Sequence, residues 1–413
     1  MTQVERLAAL FAGATEAHGT YVVSGAKDGR GKAKGTPRTV REPVTLKLWE
    51  EHVAGGTGLG IIPIRSDSMA SWGCIDIDTY PLDHAALLRQ LNTLGLPIVV
   101  CRSKSGGAHL FLFVTEPVPA GEIREALRRI AAGIGRSNCE IFPKQSEILT
   151  ERGDLGNWLN MPYHGGDSTM RYGFDGDAQS LTLEQFLDRA ERHRVTPAEL
   201  AEIAVRADQD TIEDGPPCLE HLAAAGFPDG TRNNGLFALA VYFRKAFPDE
   251  WEARLEEFNR TRMHPPKSSA EIQAVIRGHQ KKDYGYRCQE PPLREHCNRN
   301  VCVMRKHGVN VGGGLVMPNF GALTKQDTSP PIWFLDVEGK RLELTTEQLM
   351  SQTAFQRAAM ERLNTLPPKV KDQLWQETIR GLLENVTIIE APKDASIHGV
   401  FDDLLETFCT NQY

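Results

Sequence analysis

The chain has 413 residues, 40% of them hydrophobic and 24% charged, which predicts a globular protein with more than one core. Its net charge of −7 excludes a uniformly basic nucleic-acid coat, so any such contact must sit on local patches. No run of eighteen apolar residues and no charged-then-apolar opening segment occur, so a cytoplasmic protein without membrane contact is expected.

Residues 1–23 read as a helix followed by extended chain. Residues 24–47 carry Lys27, Arg30, Lys32, Lys34, Arg38, Arg41 and Lys47 against Asp28 and Glu42. That composition predicts a mobile basic loop, with simple solvation and a nucleic-acid or nucleotide contact as equal readings. From Leu59 an α/β pattern begins. Strands are predicted over 60–64, 72–78, 97–101, 108–115 and 139–143. Helices are predicted over 83–94, with Asp83 as N-cap, and over 121–135. A Gly/Asn-rich loop follows at 153–166, then a helical stretch at 181–207.

The acidic stretch 208–216 runs into Gly215-Pro216-Pro217 and reads as a linker. Helices are predicted over 218–225, 232–246, 250–260 and 269–280. A cysteine-bearing segment and a Gly312-Gly313-Gly314 break come next. A hairpin is expected from 332–337 and 341–344 across Glu338-Gly339, then helices. The expected organisation is an α/β (α+β) catalytic domain with a mixed sheet at 1–207 and a linker at 208–216. A mostly α-helical Cys-cluster domain at 217–314 and a small α+β unit at 315–413 follow. The last unit carries no sign of catalysis and is expected to dock on the Cys domain or to link to further modules.

Chemistry concentrates in Cys74-Ile75-Asp76-Ile77-Asp78. Side chains alternate along a strand, so Asp76 and Asp78 share a face, roughly 6–7 Å apart. Two carboxylates at that spacing suit a pair of divalent cations about 3.5–4 Å apart. Side by side without a cation or donors they are costly to bury. The loop Arg102-Ser103-Lys104-Ser105-Gly106-Gly107-Ala108-His109 lies between two predicted strands and holds phosphate-binding residue types. Cys139-Glu140-Ile141-Phe142-Pro143-Lys144-Gln145 adds a third carboxylate and a cation, with Glu147 as a rival acid nearby. Three carboxylates, a histidine and phosphate-binding groups suit metal-assisted nucleotidyl transfer without a covalent intermediate.

These three motifs resemble those of the archaeo-eukaryotic primase superfamily, most closely the primase-polymerases of phages, plasmids and other mobile elements. Gly156-Asn157-Trp158-Leu159-Asn160-Met161-Pro162 resembles the segment that follows the third motif. The resemblance covers roughly residues 1–200. It implies that Asp76, Asp78 and Glu140 bind catalytic Mg²⁺ or Mn²⁺. It also implies that His109 contacts the phosphates of an incoming NTP or dNTP, with Ser105, Lys104, Arg102, Lys144 and Asn160 nearby. The implied partners are a single-stranded DNA template and a replicative helicase.

Of eight cysteines, Cys74, Cys101 and Cys139 lie in apolar runs and read as core residues, and Cys409 as a buried or half-exposed thiol. Cys288, Cys297 and Cys302 crowd into a polar segment, with Cys218 seventy residues upstream. Four thiolates suit a zinc site or a [4Fe–4S] cluster, and His296 or His307 are alternative zinc partners. One cysteine, a helical block opening at Arg232-Asn233-Asn234, then three cysteines resembles the iron–sulfur domain of the primase large subunit. The surrounding Lys281, Lys282, Arg287, Arg294, Arg299, Arg305 and Lys306, with Tyr284 and Tyr286 as stacking residues, fit a nucleic-acid surface as well as a solvated basic face. The leading reading is therefore a DNA primase or primase-polymerase. A two-metal nuclease and a non-catalytic nucleic-acid-binding module are the alternatives.

Overall fold

The computed structural model describes residues 1–27, 33–136, 139–208, 212–228, 230–303, 305–309, 318 and 320–392. Cys409, Arg30, Lys32 and the triple-glycine break lie outside them. The first unit runs α1 (Gln3–Leu10), β1 (His18–Lys27), β2 (Ala33–Val40), α2 (Leu46–Val53), β3 (Gly60–Ile61), β4 (Met69–Ile77), α3 (His84–Thr93) and β5 (Val99–Arg102). It continues with β6 (Ala108–Pro119), α4 (Ala120–Gly133), β7 (Glu140–Phe142), β8 (Leu159–Asn160), α5 (Leu183–Arg192) and α6 (Pro197–Asp208). The sequence-predicted loop at 24–47 is largely the β1–β2 antiparallel hairpin, with Gly19 opposite Thr39 and Val23 opposite Gly35. β2 is an edge strand of its sheet, and Arg38 on it pairs with Glu390 at 2.5 Å.

Two four-stranded sheets form, ordered β2-β1-β3-β8 and β5-β6-β4-β7. Their ladders are antiparallel, which corrects the mixed sheet expected for this unit. For β5 and β6 the tight loop between them dictates this, because a short hairpin joins only antiparallel strands. β4 alternates as its sequence predicts. Ile75 and Ile77 enter a core covered by α3 and α4, whereas Trp72 and Cys74 enter a second core with Phe111, Phe113 and Ile61. At Gly73 a Cβ would lie 2.5 Å from Ile123 of α4, so the glycine sets how closely that helix rides on β4. The Asp83 carboxylate accepts from Ala86 N–H at 2.9 Å, capping α3 as expected.

The next elements are α7 (Pro217–Ala225), α8 (Arg232–Ala246), α9 (Trp251–Arg262), α10 (Ser269–Lys281) and α11 (Arg299–Cys302), around a core that includes Leu219, Leu239, Tyr242 and Leu255. The described part of the 208–216 stretch is packed rather than free. Ile212 joins that core, and Arg128 of α4 holds Glu213 at 2.7 Å and Asp214 at 3.1 Å.

The last elements are β9 (Phe320–Asp327), β10 (Ile332–Val337), β11 (Lys340–Leu344), α12 (Thr346–Met350), α13 (Gln352–Leu363), α14 (Asp372–Glu384) and β12 (Thr387–Glu390). The predicted hairpin is present, with Glu338 and Gly339 both at positive φ, as a two-residue type I′ turn requires. Here the sheet is mixed, because β12 lies parallel to β9. This unit packs on both others. Val303 enters its core, and Ile389 of β12 enters the core of the first unit. Fully buried Arg341 holds Asp154 at 2.8 Å and Asp336 at 3.1 Å, while its backbone N–H donates to the Glu147 carboxylate. No helix among the described residues is long and apolar enough to cross a membrane.

Candidate active site

The site grows from one row across the β5-β6-β4-β7 sheet. Asp76 of β4 stands opposite His109 of β6 on one side and Glu140 of β7 on the other. Directly opposed residues of antiparallel strands project on the same face, so one imidazole and two carboxylates line up. The row continues the Trp72/Cys74 face, where the apolar core opens outward. Asp78 lies just past the end of β4, exposed, and accepts from the Tyr80 hydroxyl at 2.7 Å.

Asp76 is nearly buried, with 14% of its side chain exposed. Burial, then the charges of Asp78 and Glu140, push its carboxyl up to about 7. Its Oδ1 atom has no hydrogen-bond partner, and His109 Nε2 at 3.4 Å is not aligned to supply one. Burial also depresses His109 to about 4, with Arg171 second and Asp78 opposing, so the ring is neutral at neutral pH. Lys144 Nζ lies 2.8 Å from Glu140 Oε1 and fixes that carboxylate. The rival acid Glu147 is engaged by the Arg341 backbone and takes no part in the row.

An orphaned, part-neutralised carboxylate oxygen flanked by two more acids is what a divalent cation would satisfy. The donor set therefore fits Mg²⁺ or Mn²⁺ chemically. The fit is one of donor chemistry alone, because no group of three or more His, Cys, Asp or Glu side chains among the described residues is placed so that it could hold a metal ion.

Gly106 at φ +98° closes the 103–107 loop. A Cβ on Gly107 would fall 2.0 Å from Ile77 O, so only glycine lets the loop lie on the end of β4. Lys104 and Ser105 are exposed at its tip, whereas the buried Ser103 hydroxyl has no partner. Arg102 donates to Met170 O at 3.1 Å, and Asn160 approaches the Tyr21 hydroxyl at 3.4 Å.

The carboxylates open on a cleft of about 460 Å³. Asp76, Asp78 and Glu140 line one side. Arg136, His221, His296 and Cys297 also line it, so the cysteine segment forms an opposing wall. The rings of His221 and His296 stand 4.3 Å apart. Cys139, read from sequence as core, lines this cleft, and its thiol is pushed up to about 11 by burial. Sequence reasoning missed this second wall and Arg171, because both are brought in from far along the chain.

Cys218, Cys288, Cys297 and Cys302 lie within one another's electrostatic reach. Burial, then Cys302, Cys297 and Cys288, raise the Cys218 thiol to about 12. Cys302 is raised to about 11 mainly by burial, and it accepts from Val309 N–H at 3.3 Å. Cys297 is exposed and Cys288 half-buried. His307 packs edge-on against Tyr242. Tyr286, read as a stacking residue, instead donates its hydroxyl to His307 O at 2.6 Å beneath Lys245. Tyr284 remains 37% exposed.

Residues 17–186 match the family model of the archaeo-eukaryotic primase domain of TOTE conflict systems. This stretch contains the whole row and the loop. No curated protein matches the chain. Among solved structures, the chain is similar to the archaeo-eukaryotic primase domain of the cyanophage S-2L primase-polymerase. That match has 15% identity and a TM-score of 0.27, over 46% of this chain and 96% of that one. The catalytic domain of primase RepB′ in complex with initiator DNA matches at 11% identity and a TM-score of 0.23, over 48% of this chain and 95% of that one. A second RepB′ structure matches at 11% and 0.24, over 71% and 89%. Likeness at that level carries no argument about this chain.

Proposed function

We propose that this protein is a DNA primase or primase-polymerase that joins nucleotides on single-stranded DNA by two-metal nucleotidyl transfer, in the replication of a phage or other mobile element. The observation that carries the reading is the Asp76–Glu140 row with its orphaned buried oxygen, inside the stretch that matches a primase-domain model. Asp76, Asp78 and Glu140 would hold the cations. Bound there, Mg²⁺ or Mn²⁺ supplies the charge that activates a 3′-hydroxyl and stabilises departing pyrophosphate. The chain's own residues orient and neutralise. Tyr80 aims Asp78, Lys144 balances Glu140, and the neutral His109 ring offers one N–H without adding repulsion toward the cations. Lys104, Ser105 and Arg102 present the loop to phosphate. The opposing wall of the cleft gives template and nucleotide a confined place to meet.

The four thiols would hold a [4Fe–4S] cluster or zinc, since their mutual repulsion is relieved by a bound cation. A single assay separates polymerisation from degradation. End-labelled primer on a DNA template is incubated with Mn²⁺, with and without dNTPs. Longer products that need dNTPs and vanish in Asp76→Ala support the proposal. Shortening without dNTPs replaces it with a two-metal nuclease.

A further inference from the structure

β7 borders a second cavity besides the cleft. It measures about 280 Å³ and opens where the three units meet, and Cys139 and Glu140 line both. α4 brings Arg124 and Arg128 to it, the cysteine-bearing unit brings Arg305, and β9 and α14 of the last unit close the remaining sides. With Lys144 the lining holds four cations against two acids, Glu140 and Asp214. Most of that charge is matched. Arg128 and Arg305 share Asp214 at 3.1 and 3.5 Å, and Lys144 holds Glu140 at 2.8 Å. Arg124 differs. It is half-buried, it makes no hydrogen bond or ion pair among the described residues, and its charge acts on Asp336 without reaching contact. A guanidinium partly withdrawn from water without a partner is costly, and an anion entering the cavity would offset that cost.

Two strand margins face the same space. β7 ends its sheet, and no described strand covers its outer side at Ile141. β12 pairs with β9 only from Thr324 onward, so the stretch 320–323 has no described strand on that side either. Margins of this kind carry spare backbone N–H and C=O groups. Here Ala322 O alone is taken, by Arg341 Nη1 at 2.8 Å. Ile141, Leu323 and Leu382 add apolar surface between the margins. Gly381 of α14 leaves a gap, because a Cβ there would meet no heavy atom within 4 Å. Small-molecule pockets start at roughly 300 Å³, so only a small ligand fits. An arginine fork takes two oxygens side by side, and a strand N–H can take a third. A phosphate offers three oxygens where a carboxylate offers two.

We infer that this junction cavity binds a small phosphate monoester with an apolar body, its phosphate on Arg124 and its body against Ile141, Leu323 and Leu382. Bound there, the phosphate competes with Glu140 for Lys144 and so acts on the carboxylate row from behind β7. The site itself stands on the cavity, and only its effect on synthesis rests on the proposed nucleotidyl transfer. Phenyl phosphate is the probe, titrated calorimetrically into the full chain in EDTA without nucleotide. One site per chain is expected. Arg124→Gln should weaken it by about tenfold or more. Gly381→Leu should abolish binding, because it fills the gap without touching a charge. Asp78→Ala should leave the affinity unchanged. Inorganic phosphate, which lacks the apolar body, should bind about tenfold more weakly. No binding by wild type up to about 10 mM overturns the site. Wild-type affinity in Gly381→Leu, or in a folded Arg124→Gln, overturns it too, and loss in Asp78→Ala moves the probe to the catalytic cleft and overturns it as well. Equal affinity for inorganic phosphate refutes the apolar subsite. In primer extension, phenyl phosphate should change the wild-type rate about fivefold or more and leave Gly381→Leu unmoved. Binding with no change in rate refutes the coupling through Lys144. Binding by a protein that makes no product refutes the primase and leaves the site standing.

Discussion

Asp76→Asn should stabilise the metal-free protein while abolishing its chemistry. The folded-state pKa of about 7 lies above the ordinary 3.8, so the native state keeps a proton that the unfolded chain releases. Ionising Asp76 in the fold therefore costs stability. The cost is absent below about pH 4, grows as pH rises toward 7, and is full above it. A rise of about three pH units at ~1.36 kcal/mol each gives roughly 4 kcal/mol at pH 8. Asparagine keeps the shape and removes the charge. With ~2–4 °C per kcal/mol for a domain of this size, the melting point at pH 8 in EDTA should rise by on the order of 10 °C. At pH 4 variant and wild type should melt together. Mn²⁺ should raise the wild-type melting point and leave the variant unmoved, because the orphaned oxygen is the one a cation relieves. Calorimetric scans at pH 4 and 8, with EDTA or Mn²⁺, read all of this. Equal melting of the two proteins at pH 8 in EDTA, or an equal Mn²⁺ shift in both, would refute the reasoning.

Further outcomes follow from single contacts. Gly107→Ala places a Cβ against Ile77 O, so the loop must lift from β4; synthesis should fall at least tenfold in a primer-extension assay, with about 1–3 kcal/mol lost in urea unfolding. Arg341→Met leaves Asp154 and Asp336 buried without their cation and should cost about 3–5 kcal/mol, seen as early proteolysis of the 320–392 unit; an unchanged digestion pattern would count against the docking role. An anaerobic preparation should carry visible charge-transfer absorbance or bound zinc that Cys297→Ser reduces, measured by absorbance and metal analysis; wild type free of both would exclude the four-thiolate centre.

Much of the fold is legible because local signals agree with the tertiary result. Alternation over 72–78 places Asp76 on the exposed end of one core face, Asp83 caps its helix, and Glu338-Gly339 dictates its hairpin. The β1–β2 hairpin is hidden because its edge strand tolerates Lys, Arg and Gly, which mask the two-residue period. The docking of the last unit on the first is hidden for another reason. Arg341 opens the second strand of the predicted hairpin, and only the fold reveals the acids that permit its burial. Arg171 and the His221/His296 wall carry no local signature of this site, because chain far apart in sequence brings them there. Glu147 and Glu140 are equivalent in composition, and strand register alone separates them.

The most direct test of the central claim is incorporation of labelled nucleotides on unprimed single-stranded DNA with Mg²⁺ or Mn²⁺, comparing wild type with Asp76→Ala/Asp78→Ala. Short products from wild type alone, lost in EDTA, are predicted. Products from the double variant equal to those of wild type would contradict the carboxylate site, and no products from either, on unprimed or primed DNA, would contradict the primase.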